Sequence, residues 1–176
     1  MRRDLADLAE TRDALIDTGR NNLSSQARVH EAVLALLKAR NFEHFIESLT
    51  TDLAVILDLD VIVVGVEQAE DGTVTPPCAG VMPLSPKMVD RLIGPGQNIV
   101  LRDHVNGDPE IFGPGAGLVH SEALIRLSFG RTAPSALLAF GARDGTHFEP
   151  GQGTELLRFM ARVVETSIRG WLDLPE

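Results

Sequence analysis

The chain has 176 residues, enough to bury one sizeable core, since domains commonly run roughly 100–200 residues. Hydrophobic residues make up 44% and charged residues 23%, which excludes the composition of a disordered chain and matches a soluble globular protein. A net charge of -9 with no basic run longer than Arg2-Arg3 repels phosphate backbones and anionic lipid, so neither nucleic acid nor a membrane is an expected partner.

Apolar runs such as Val61-Ile-Val-Val64 fall far short of the roughly 20 residues that cross a bilayer as a helix. The first ten residues carry charges throughout and lack the apolar stretch of a secretory signal. Cys78 is the single cysteine and cannot form an internal disulfide, which fits a reducing compartment. The expected location is cytoplasmic.

Residues 4–22 read as a polar helix with a thin apolar seam of Leu5, Leu8, Leu15 and Ile16, interrupted by Arg12. Such a seam is stable only against a partner helix, as in a short coiled coil. Asn21-Asn-Leu-Ser-Ser25 reads as a joint, because short polar side chains bond to the local backbone and compete with helix. Val29, Ala32, Val33, Leu36 and Leu37 then mark a second helix over 27–39, and Phe42, Phe45, Ile46, Leu49, Leu53, Ile56 and Leu57 a third over 43–58. The period changes at the β-branched run 61–66. Glu70-Asp-Gly72 signals a turn and residues 73–82 a returning strand, which Pro76-Pro77 confines to an edge or a bulge.

Ser85-Pro86 opens a short helix that Gly94-Pro-Gly96 ends, and residues 98–102 form a short strand. The glycine- and proline-rich stretch from Asp103 to Gly117 is the longest irregular segment, the kind of loop that in compact domains is functional or mobile. Strands follow at 122–129 and 135–142. A closing helix over 153–173 carries Leu156, Leu157, Met160, Val163, Val164, Ile168, Trp171 and Leu172 at spacings of three and four.

This order of elements resembles a GAF domain, a sensory module that binds small molecules or mediates dimerisation. Val29-His-Glu-Ala-Val-Leu-Ala-Leu-Leu37, Phe42-Glu-His-Phe-Ile46 and Leu59-Asp-Val-Ile-Val-Val64 resemble the bacterial DUF484 family, whose members join an amino-terminal coiled-coil segment to a GAF-like domain. The resemblance implies an α/β (α+β) fold, with a central antiparallel sheet, helices on one face and the 103–120 loop over the other. It divides the chain into an amino-terminal helix, 1–25, and a GAF-like domain, 26–176. It also implies a regulatory role in a bacterial cytoplasm, and members usually carry a further segment before this helix. The motifs of the better-defined GAF activities are missing: no cyclic-nucleotide constellation, no second thiol for sulfoxide reduction, and Ala79 where a bilin-attaching cysteine is followed by histidine.

Candidate chemistry is sparse. Cys78, His104, His120 and Glu122 are ordinary zinc-ligand types, but their spacing matches no ligand motif and no metal is expected. Ser121 or Ser128 with His104 or His120 and Asp103 can be drawn as a triad, yet no Gly-x-Ser-x-Gly elbow accompanies them, and an enzyme is not expected. Gly113-Pro-Gly-Ala-Gly117 lacks the following Gly-Lys-Ser/Thr of a phosphate loop. The set with most to offer is Arg102, Asp103, His104, Glu122, Arg126 and Ser128. On strand 122–129 the polar positions face away from the helices, towards the side where GAF domains hold a ligand. The expectation is a homodimeric sensor paired through its terminal helices, with no cofactor identified. A docking module whose pocket is filled by side chains, binding a protein partner, is the alternative. An enclosed cavity lined by Arg126 would separate the two.

Overall fold

The apolar periodicity that suggests three helices before the first strand produces two helical arms and a sheet behind them. The computed structural model describes residues 2–69, 71, 79–130 and 133–172, with side chains from residue 11 onward. Helix α1 runs unbroken from Arg2 to Leu36, about 50 Å at 1.5 Å per residue. The joint expected at Asn21–Ser25 is therefore helical, and the division at residue 25 falls inside one element. Two amides, one leucine and two serines cost only tenths of a kcal/mol each in a helix interior, too little to break a helix continuous on both sides.

The second arm is α2, Phe42–Glu47, a π-helical turn, Ser48–Asp52, and α3, Leu53–Leu57. Asn41 caps α2 by accepting a hydrogen bond from the His44 amide at 2.8 Å. Asp58, in the left-handed region at φ 58°, ends α3. The chain then enters a sheet in the order β2-β1-β5-β4-β3, comprising β1 Val61–Glu67, β2 Val81–Leu84, β3 Ile99–Arg102, β4 Ser121–Leu127 and β5 Ala136–Ala142.

Three of its pairings are antiparallel, but β2 runs parallel to β1, with Val64 opposite Val81 and Glu67 opposite Leu84. The expected hairpin return is corrected to a crossover. A parallel partner needs a connection of a dozen or more residues, and residues 68–80 supply it. β2 borders the sheet and contains Pro83, which lacks an amide to donate; Pro76-Pro77, on which the edge was expected, lie outside the described residues.

Alternation along the strands builds two cores. Ile62, Val64, Ile125, Leu127, Leu138 and Phe140 face the helical arms, meeting Val29, Ala32 and Leu36 of α1, Phe45, Ile46, Leu49 and Leu53, and Met160, Val164 and Ile168 of the closing helix α6, Glu155–Leu172. On the reverse face, Leu124, Leu137 and Ala139 meet α4, Met88–Ile93, α5, Pro109–Phe112, and a 3-10 turn over Gly113–Leu118. The stretch read as irregular thus contains α5, capped by Asp108 with Pro109 in its first turn. Close approach there depends on two glycines. A Cβ on Gly141 of β5 would lie 2.5 Å from Val119, and one on Gly107 would lie 2.4 Å from the Ala116 carbonyl oxygen.

Candidate functional site

The register of β3 against β4 sets Arg102 directly opposite Glu122. Their side chains meet, Arg102 Nη1 donating to Glu122 Oε1 at 2.9 Å, while Nη2 donates to the Leu92 carbonyl at the end of α4. The Glu122 side chain is only 4% exposed against 36% for Arg102. Burial pushes the Glu122 carboxyl above its ordinary value, opposed by the hydrogen bond and charge of Arg102 and reinforced by the negative charge of Asp108.

Arg126, four residues further along β4, has a separate circle of partners. Its guanidinium pairs with Asp90 at 2.8 Å and donates to the carbonyls of Gln97 and Gly94, each at 3.1 Å. These bonds fasten the α4–β3 connection to the sheet. Glu122 and Arg126 do lie on the face opposite the helical arms, as the alternation of β4 requires. The hydrogen bonds and ion pairs of both side chains run to neighbouring groups of the protein, and the same face of the sheet carries an apolar cluster that includes Val89, Ile111, Phe112 and Val119.

The rest of the predicted set is dispersed. Asp103 is half-buried just after β3. His104 is exposed with φ 46°, and its amide donates to the Gly145 carbonyl at 2.9 Å. Ser128 lies past the end of β4 and is tied to α6: its amide donates to Glu165 at 2.7 Å and its carbonyl accepts from Arg169 at 3.0 Å. Sequence reasoning missed Asp90 as the carboxylate of Arg126, because nothing local relates positions 36 residues apart.

The other chemistries weighed from sequence find these surroundings. Ser121 is buried and its hydroxyl donates to the Asp144 carbonyl at 2.5 Å, while His120 is exposed. The Asp144 carboxylate accepts from the amide and the hydroxyl of Thr146, both at 2.9 Å. Those bonds hold it below the ordinary carboxylate value, with help from the charges of His147 and His104. Cys78 lies outside the described residues. Among the described residues no three His, Cys, Asp or Glu side chains cluster as a metal set, and no helix is long and apolar enough to cross a membrane.

With this geometry in view, residues 1–173 match the family model described as "Protein of unknown function, DUF484". The chain belongs to the DUF484 family. No curated protein matches it. The match covers both helical arms, the sheet and all of α6, so in this DUF484 chain α1 is part of the family's unit.

Proposed function

We propose that this DUF484 chain is a dimeric regulatory module of GAF-like type, whose output is the pairing of two α1 helices. The observation that carries the reading is an apolar stripe left outside the core. Among the described side chains of α1, those of its last turns pack inward, through Val29, Ala32 and Leu36. Leu15, Ile16, Leu23, Leu34 and Leu37 project to solvent instead, with Leu15, Leu23 and Leu37 each 68% exposed. At 100° per residue the four on α1, with Leu37 just past its end, fall within an arc of about 100°, turned roughly 130° from the buried positions.

A stripe of this kind extends beyond the folded domain and needs a partner helix. A second copy is the favoured partner, because two-fold pairing satisfies the same stripe on both chains at once. The engagement of the Arg126 guanidinium by Asp90 and the carbonyls of Gln97 and Gly94 supports this reading over a sensor that uses Arg126 to hold a ligand.

Sedimentation velocity on the wild-type chain and on a Leu15→Glu/Leu23→Glu variant tests it. Burying one leucine contributes about 1.5–3 kcal/mol, so the double change is expected to weaken the dimer by at least about 100-fold. A monomeric wild type, or a variant that dimerises equally well, overturns the proposal.

A further inference from the structure

The cleft of interest lies on the helix side of the sheet, far from the polar cluster of β4. It opens between α1, the end of α3, the 147–153 turn and the start of α6, and encloses about 160 Å³. Its floor and walls are apolar, formed by Val29, Leu57, Phe140, Phe148, Leu157 and Met160. An apolar cavity of about 150 Å³ accepts a benzene-sized molecule.

Polar groups gather at the rim. Arg28, Ser25, His147 and Gln152 all line the opening, and Ser25, Arg28 and Gln152 are exposed. Arg28 is loosely held: its nearest carboxylate, Asp58, is 3.9 Å away in a solvent-exposed pair, an arrangement that contributes little to stability. A guanidinium at the mouth of an apolar pocket offers a planar pair of donors matched to a carboxylate. The combination of apolar walls with a few converging polar groups is that of a small-molecule site.

We infer that this cleft binds a small monocarboxylate with a benzene-sized apolar body, the ring or chain against Phe140, Phe148 and Met160 and the carboxylate on Arg28. An occupant would touch α1 and α6 together, the two terminal helices of the dimer reading. The inference rests on that reading for its regulatory consequence but not for its chemistry.

Benzoate is the probe, with benzyl alcohol as its uncharged counterpart, titrated into the full chain and followed by amide chemical shifts. Saturable shifts centred on 25–29, 57–59 and 147–157 are expected, with benzyl alcohol binding more weakly. Arg28→Gln should weaken benzoate about tenfold, the order expected for one charge-assisted bidentate contact, and Ser25→Trp should abolish binding by occupying the mouth. Both changes are at exposed helix positions, where folding tolerates them. Asp58→Asn keeps a residue that accepts the left-handed region and should strengthen binding severalfold by releasing Arg28. Absence of saturable shifts, shifts centred elsewhere, or equal affinity in the Arg28→Gln and Ser25→Trp variants overturns the inference. Sedimentation of the same samples separates the two ideas: a dimer that ignores benzoate overturns this inference alone, and a monomer that binds it overturns the dimer alone.

Discussion

Glu122 and Arg102 occupy facing positions on β3 and β4, and the energetics of the pair are set by burial. Because the carboxyl titrates above its unfolded value, the folded state takes up its proton more readily than the unfolded state does. Its contribution to stability is therefore fully present below the unfolded value of 4.5 and is lost as pH rises through the folded value. Glu122→Gln removes that titration. Urea unfolding of both proteins at several pH values between 4 and 7 should show the wild type gaining on the variant as pH falls, with no further gain below about 4.5. A difference independent of pH, or one of opposite sign, contradicts the burial argument. At this scale the sequence was legible in parity: alternation along 122–129 put Glu122 and Arg126 on the face away from the helical arms, where they are. Their partners were not legible. Asp90, Leu92 and Gln97 reach them through strand register and the docking of α4, which no local pattern records.

At the scale of elements, the cover over the reverse face depends on how closely α5 and the 3-10 turn approach the sheet. Gly141 sits in β5 directly beneath Val119 and Phe112, and its extended backbone would accept alanine. The added methyl would meet Val119 at 2.5 Å and Phe112 at 3.1 Å, so the cover must lift. Overpacking of this kind costs about 1–3 kcal/mol, offset in part by the roughly 0.5–1 kcal/mol that alanine gains over glycine in a strand. Gly141→Ala is expected to lower unfolding stability by about 1–2 kcal/mol; a variant as stable as wild type in denaturant melts would count against so tight a contact. Helix periodicity located most of the inward positions of the 27–39, 43–58 and 153–173 segments, but Leu37 and Trp171, counted in those stripes, are exposed. It missed the π turn at Ser48–Asp52 because one extra residue barely disturbs the spacing of Ile46, Leu49 and Leu53. It also read residues 103–117 as irregular, since α5 is a single turn too short to leave a repeat. The parallel pairing of β2 escaped for a different reason: a turn signal such as Glu70-Asp-Gly72 reports that the chain bends, not which strand edge it reaches afterwards.

For the whole molecule, the decisive asymmetry is between the two ends of α1. Its last turns are held by the core, whereas every described side chain from Thr11 to Arg28 is exposed. A helix held only by its own hydrogen bonds frays, because isolated helices shorter than about 12–15 residues are marginal in water. A partner helix on Leu15, Ile16 and Leu23 would remove those apolar side chains from water and suppress local opening. Amide exchange across residues 11–24 should then depend on protein concentration, slow where the dimer dominates and at least tenfold faster on dilution to the monomer, about 1.4 kcal/mol of opening free energy. Amides of β4 and β5 should change far less, since their neighbours belong to the same chain. The Leu15→Glu/Leu23→Glu variant should exchange at the fast rate at every concentration. Exchange in 11–24 that is slow and unaffected by dilution would mean that α1 is stabilised within a single chain, and the exposed stripe would then need a different explanation from self-pairing.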